Sequence, residues 1–278
     1  MTNITAADVN KLRQMTGAGM MDCKKALQES EGDFDKAIDN LRKKGQKVAA
    51  KRADRDANEG IVLAKTTADN TYAAMVMVNC ETDFVGKTEE FRQFAKDILD
   101  LGIKHKVKTV AELLPMNLGN ITIEAKLNDM LGKTGEKIQL AHYEYIEAPA
   151  VFAYNHHGNR LSTLIGLSKH DVKELHEIGH ELAMQVAAMN PIAIDKENVT
   201  QETIDREIEI GKEQARQEGK PEDMLEKIAT GKLTKFFKEN TLLNQDFVRD
   251  TKKTVREYLS GHDKDLKVTA FKRLMLGA

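Results

Sequence analysis

Twice along this chain a pattern that only a sheet can use is followed by one that only a helix can use. Ile61 to Thr66 and Tyr72 to Asn79 are apolar runs with β-branched residues, split by Ala68-Asp69-Asn70. That arrangement is a hairpin signal. From about Thr88 to Leu101 the apolar residues Phe91, Phe94, Ala95, Ile98 and Leu101 fall on one helical face. Further on, Val151 to Tyr154 and Leu161 to Leu167 flank His156-His157-Gly158-Asn159, a second hairpin. A helix is predicted after it, from about Asp171 to Met189. Hairpin then helix, repeated in pattern rather than in residue identity, predicts an α+β fold with two similar α+β subdomains.

Purely helical patterns lie on either side. Residues 5 to 44 read as three short helices. Thr5-Ala6-Ala7-Asp8 is a capping box in its acidic form, and Val9, Leu12 and Met15 follow at helical spacing. Thr16-Gly17-Ala18-Gly19 breaks the pattern. A second helix carries Cys23, Ala26 and Leu27, and a third carries Phe34, Ala37, Ile38 and Leu41. Arg42, Lys43, Lys44, Lys47, Lys51, Arg52 and Arg55 then read as a solvated helix end running into a basic tether. After Pro191 the chain is highly charged and helical. Thr200 to Gln217 and Pro221 to Glu239 predict two antiparallel helices joined at Glu218-Gly219-Lys220. Their narrow stripes are Ile204, Ile208 and Ala215 on one, and Met224, Leu225, Ile228 and Leu233 on the other. Such a hairpin is expected to protrude from the body. A short helix near Val255 to Leu259 and a strand-like run from Leu266 to Leu276 end the pattern. The expected division is 1–45 for the three-helix domain, 46–58 for the linker, 59–142 for a first core subdomain and 143–278 for a second, with the helical hairpin inserted at about 200–240.

Composition narrows the function. With 42 Lys plus Arg against 44 Asp plus Glu, the formal net charge of −2 gives no global reason to bind nucleic acid or an acidic membrane. There is no Trp and aromatics are 5%, too few for a platform on which bases stack. The basic linker has no interleaved aromatic, and Asp54 and Asp56 interrupt it. Direct nucleic-acid binding is therefore not expected. The two cysteines, Cys23 and Cys80, sit in apolar stretches and read as buried free thiols, as in a reducing cytosol. No signal-peptide pattern opens the chain and no apolar run is long enough to span a bilayer, so a cytoplasmic protein is expected.

Three segments are candidates for chemistry. His176-Glu177-Ile178-Gly179-His180 fits the H-E-x-x-H pattern of zinc peptidases on a predicted helix. The buried arc of that helix, set by Leu175, Ile178, Gly179, Leu182, Val186 and Met189, leaves His176 and His180 beside it on the side of Lys173. A cation there opposes a dication, so the pair reads as structural and no metal is expected. Thr82-Asp83-Phe84-Val85 lies between a buried strand and the next helix, on a loop where binding residues concentrate. Two readings stand: a Phe folded back into the core, or a ring offered to a partner. In Met15-Thr16-Gly17-Ala18-Gly19-Met20-Met21 the glycines allow a tight turn, and two methionines beside it suit an adaptable protein contact. The glycines do not form a phosphate loop, because no G-x-x-x-x-G-K and no preceding strand are present.

Two of these segments carry a resemblance. Arg13 with Thr16-Gly17-Ala18-Gly19-Met20-Met21-Asp22-Cys23-Lys24-Lys25-Ala26-Leu27 resembles the N-terminal signature of elongation factor Ts. Asn79-Cys80-Glu81-Thr82-Asp83-Phe84-Val85 resembles that family's second signature. His157-Gly158-Asn159-Arg160, Gly219-Lys220-Pro221, Lys232-Leu233, Phe236 and Leu242-Leu243-Asn244-Gln245-Asp246-Phe247-Val248 continue it. The resemblance implies a ubiquitin-associated-like three-helix domain, two similar α+β subdomains and a protruding coiled-coil hairpin. It also implies a translation factor that binds the GTPase elongation factor Tu and ejects its GDP. On that basis Thr82, Asp83, Phe84 and Val85 displace elements supporting the partner's Mg²⁺ site. Arg13, Met20 and Met21 contact the nucleotide-binding domain, and Gly135 with His157 contacts a different domain. No catalytic residue and no cofactor are implied, and dimerisation of the complex stays open. Gly86 stands where the family usually has Ala, which is expected to loosen the loop slightly, and Glu81 stands in place of a common Gln.

Overall fold

The computed structural model describes residues 4–51 and 55–277. Its N-terminal module has three helices: α1 (Ala6–Thr16), α2 (Met20–Glu29) and α3 (Phe34–Lys51). The capping box forms as the sequence predicts: Asp8 N donates to Thr5 Oγ1 at 3.2 Å and Thr5 N donates to Asp8 Oδ2 at 3.0 Å. Leu12, Cys23, Leu27 and Ala37 are fully buried at the centre of the module. One expectation is corrected here. The helix α3 does not give way to a tether at residue 46 but continues to Lys51. Its far end has a partner: a Cβ on Gly45 would lie 3.1 Å from the Asn128 carbonyl oxygen, so the two backbones meet closely there. Packing of this kind, more than intrinsic propensity, sustains the helix through Arg42, Lys43, Lys44, Lys47 and Lys51.

The first core unit is an antiparallel sheet of β1 (Glu59–Thr66), β2 (Tyr72–Cys80) and β5 (Ile138–Glu147), in the order β1-β2-β5. Between β2 and β5 run α4 (Asp83–Gly86), α5 (Glu89–His105), α6 (Val110–Leu113), β3 (Asn117–Leu118), β4 (Ile121–Thr122) and α7 (Ile123–Thr134). Thr88 caps α5 by accepting from Phe91 N at 3.3 Å. The helix covers one sheet face with Phe91, Ile98 and their neighbours, joined by Leu113 and Ile123. Tyr72 and Tyr143 share a buried hydroxyl–hydroxyl bond of 2.8 Å, and the Tyr72 hydroxyl also donates to the Val107 carbonyl. The ladder between β2 and β5 runs as far as Tyr72↔Glu147. A division at 142/143 would cut β5 in two, so the first unit ends instead near Ala148-Pro149.

The second unit is built from β6 (Ala150–Asn155), β7 (Leu161–Leu167), α8 (Leu175–Met189), α9 (Gln201–Gln217), α10 (Glu222–Asn240), β8 (Asp246–Phe247), β9 (Asp250–Thr254), α11 (Val255–His262) and β10 (Val268–Met275). Its main sheet has the order β10-β7-β6. The helix α8 begins four residues later than the pattern predicts, because Glu174 adopts a left-handed φ of +60° that no helix can continue through. The helices α9 and α10 pack along each other, tightly enough at Gly211 that a Cβ there would lie 3.2 Å from the Ala229 Cα. Met224, expected on the stripe, is exposed.

The two sheets face each other across Ala64, Ala73, Met75 and Ile146 on one side and Val151 and Leu164 on the other. Polar contacts tie them as well: Val62 N donates to the Asn159 carbonyl at 2.8 Å, and Ser162 Oγ donates to the Val62 carbonyl at 3.1 Å. With α5 on one face and the second sheet on the other, all nine residues of β2 are buried. This explains why that strand reads as a continuous apolar run rather than an alternating one.

Candidate functional site

The chain leaves β2 at Cys80 and turns at once into α4, four residues long. The segment Thr82-Asp83-Phe84-Val85 is therefore not a loop, as its position suggested, but a capped helical turn. Thr82 is the cap, its hydroxyl accepting from Val85 N at 3.5 Å. Gly86 closes the turn and is buried. A Cβ there would lie 3.3 Å from Cys80 Sγ and 3.5 Å from the Gly60 backbone, so Gly86 seats the turn tightly on β1 and β2 instead of loosening it. The Phe84 side chain points the other way and is 81% exposed. Of the two readings left open for this ring, burial in the core is excluded.

Charge around the turn is ordered. Lys87 Nζ donates to Asp83 Oδ2 at 2.5 Å, and this bond holds the Asp83 carboxyl below its ordinary pKa. The Cys80 thiol, which donates to the Thr82 carbonyl at 3.1 Å, is pushed up to about 12 by burial and is inert as a nucleophile. Arg160 pairs with Glu59 on β1, and the Asp83 charge also acts on its guanidinium. The turn between β6 and β7, with Gly158 at φ +85° and Asn159 at φ +54°, thus stands beside α4. His157 is exposed on that turn.

The N-terminal segment reaches the same region through α7. Gly17 ends α1 at φ +68°, and the Lys133 side chain lies against it, so close that a Cβ on Gly17 would sit 2.5 Å from Lys133 Cε. Lys133 Nζ pairs with Glu90 at 2.5 Å, at the start of α5. Gly135 caps α7 at φ +74°, with open space where a side chain would be. One residue later Glu136 accepts from Thr82 N at 3.0 Å and from Thr82 Oγ1 at 2.7 Å. Met20 and Met21 are 56% and 72% exposed, because Cys23, Ala26 and Leu27 take the buried face of α2. Arg13 is exposed on α1. Met20, Met21, Gly135 and Phe84 are thus linked through one turn of α7. Glu136, Lys133 and Glu90 were not singled out from the sequence; no motif marks them, and the only signal is that Glu136 follows a capping glycine.

The H-E-x-x-H segment looks different. Both histidines are exposed, with their rings edge-on to aromatics of β6: His176 to Phe152 at 5.8 Å and His180 to Tyr154 at 5.6 Å. Lys173 precedes the helix and so is not the neighbour expected from helical phase, and Met189 is exposed rather than part of the buried arc. Among the described residues no group of His, Cys, Asp and Glu is arranged to hold a metal. No described helix is long and apolar enough to cross a membrane. Both cysteines are buried and free.

The sequence profile described as Elongation factor TS matches residues 81–278. The chain belongs to the elongation factor Ts family. Similarity extends over the N-terminal module too. An elongation factor Ts of Christiangramia forsetii is 51% identical over 277 residues, covering 100% of both chains. One from Amoebophilus asiaticus is 50% identical over 275 residues, 99% of each. One from Bacteroides thetaiotaomicron is 41% identical over 332 aligned positions, again 99% of each. Membership of the elongation factor Ts family makes this chain a translation elongation factor with a role in nucleotide exchange, and implies partnership with elongation factor Tu. Neither the profile nor these relatives point to a peptidase.

Proposed function

We propose that this chain binds elongation factor Tu carrying GDP, opens its nucleotide site and lets GDP leave so that GTP can rebind. The observation that carries the mechanism is Phe84, a large apolar ring 81% exposed at the tip of a short helix seated on a sheet. A GTPase holds GDP through backbone N–H groups, a Lys and Mg²⁺. To break that cradle, the exchange factor needs contacts available only in the opened state. Burying the Phe84 ring in a pocket that opens with the cradle is worth about 2 kcal/mol. Asp83 hydrogen-bonds beside the ring, with Thr82 and Val85 completing the contact. Arg13, Met20 and Met21 grip the nucleotide-binding domain, and Gly135 with His157 meets a different domain. None of these groups does covalent chemistry, so the chain is not an enzyme in the chemical sense. In this reading the N-terminal module is a ubiquitin-associated-like domain, the two sheet units are related subdomains, and α9–α10 is a projecting arm open to dimerisation of the complex. The factor works in the cytoplasm without touching nucleic acid.

Release of a fluorescent GDP analogue from the GTPase, measured alongside thermal melting of the factor, tests this. Phe84→Ala keeps the fold and slows release. Because coupling between two ligands of one protein is reciprocal, calorimetry adds a second readout. Met20→Ala weakens binding to nucleotide-free and GDP-bound GTPase about equally, by ~1 kcal/mol. Phe84→Ala weakens binding to the nucleotide-free form far more. Equal losses for Phe84→Ala in the two forms would show that the ring grips without discriminating, and the wedge mechanism would fall.

A further inference from the structure

A four-residue helix does not hold itself. Nucleating one helical turn is unfavourable in water, and α4 fully buries just its closing residue, Gly86, with Val85 partly packed on the core, while its largest side chain points into solvent. If Phe84 is to push on a partner, something must resist the push. The ladder between β2 and β5 ends at the pair Cys80↔Ile138. Beyond it the chains diverge, one into α4 and the other back into α7. At the divergence the next two residues of each chain clamp the other reciprocally. The Glu136 carboxylate accepts from Thr82 N at 3.0 Å and Thr82 Oγ1 at 2.7 Å, and the Glu81 carboxylate accepts from Lys137 N at 2.7 Å. Two carboxylates thus take two main-chain donors just past the end of the ladder.

The Glu136 half has a further effect. By accepting the Thr82 hydroxyl proton it fixes that hydroxyl's rotation, leaving a lone pair for Val85 N, the capping bond of α4. Hydrogen bonds to a charged acceptor are the stronger kind. Glu136 is itself set by the left-handed Gly135, and its own N–H donates to Thr134 Oγ1 at 3.2 Å. One turn back, Lys133 supports the Gly17 turn ahead of Met20. We propose that Glu136 is a positioning residue that fixes the axis of α4, so that force on the Phe84 ring is borne by α7 and the sheet instead of being lost in local unwinding. This rests on the exchange reading given above for Phe84.

The test separates the two ideas. In the free factor, amide hydrogen exchange at Gly86 and Lys87, whose N–H groups donate to Thr82 and Asp83 carbonyls, reports α4 directly. Glu136→Ala speeds it about tenfold, and Glu136→Gln, which keeps an acceptor, speeds it less. In GDP release, Glu136→Ala slows the rate about tenfold in the wild-type background. It adds less than about twofold on top of Phe84→Ala, as two changes on one pathway do. Should Glu136→Ala not fold, Glu136→Asp, which shortens the reach by one methylene, is read by the same criteria. If Phe84→Ala leaves release unchanged, the exchange reading fails while the amide rates still decide whether Glu136 holds α4. If Phe84→Ala slows release but Glu136→Ala leaves release and the amide rates unchanged, or multiplies in full with Phe84→Ala, the positioning role is overturned.

Discussion

Gly179→Ala is expected to be costly, although it replaces a poor helix former by the best one in the interior of α8. A Cβ on Gly179 would lie 2.1 Å from Phe152 Cδ2, 2.2 Å from Cγ and 2.4 Å from Cε2. Carbon atoms in good contact sit about 3.5 Å apart or more, so the overlap is ~1.4 Å and involves three ring atoms at once. Phe152 is only 7% exposed and packs in the same core as Ile178 and Leu182. The ring must swing toward His176, or α8 must lift from the sheet. Overpacking of this order costs about 1–3 kcal/mol, and three clashing atoms place it at the upper end. The gain in helix propensity offsets about 1 kcal/mol, leaving a net loss of about 2 kcal/mol. For a protein of this size that lowers Tm by about 4–8 °C. Urea unfolding followed by circular dichroism, with unchanged m, measures it. The control is Phe152→Ala, which is itself destabilising but removes the ring. In that background Gly179→Ala becomes neutral or stabilising by up to about 1 kcal/mol. A stabilising Gly179→Ala in the wild type, or the same loss in both backgrounds, would refute the reasoning. The glycine of the H-E-x-x-H segment is there, on this account, to let a helix lie close on an aromatic strand.

Two further outcomes are expected. Purified protein carries no stoichiometric zinc by elemental analysis, and His176→Ala leaves GDP release within a few-fold of wild type, because the two histidines lean on Phe152 and Tyr154 and, among the described residues, no group of His, Cys, Asp and Glu is arranged to hold a metal; one retained zinc per chain would overturn this. Asp129, on α7 facing Arg42 at 3.8 Å, has its pKa raised by burial, against the opposing pull of Arg42 and Lys126. Between its unfolded and folded pKa values the native state binds more protons than the unfolded chain, so wild-type stability falls as pH rises through that window. Asp129→Asn is therefore expected to gain on wild type in denaturant titrations as pH rises from about 4 toward neutrality, and a difference that stays flat or shrinks over that range would count against it.

The two hairpins, the helices after them, the α9–α10 pair and the capping box of α1 were legible in the sequence. Each depends on side-chain periodicity or a cap within a few residues of itself, as with Thr5 and Asp8 on α1 or Thr88 ahead of α5. The two signature segments were legible as well; one presents Arg13, Met20 and Met21 to solvent and the other presents Phe84, while Cys23, Leu27 and Cys80 lie in the core. What could not be read was anything decided by pairing across long stretches of chain. The helix α3 continues to Lys51 where Gly45 meets α7, a contact no local pattern announces. Between His105 and Ile138 the elements α6, β3 and β4 are two to four residues long, too short to show a period. The extent of β5 is set by its ladder with β2, not by its own alternation. Only the tertiary structure decided which way Phe84 points, because a four-residue helix has no face of its own until Gly86 is seated on Cys80 and Gly60. For the same reason Glu136 is one acidic residue among many in the sequence. It becomes the support of the Phe84 turn only when the chain has folded back to bring it to Thr82, 54 positions away in sequence.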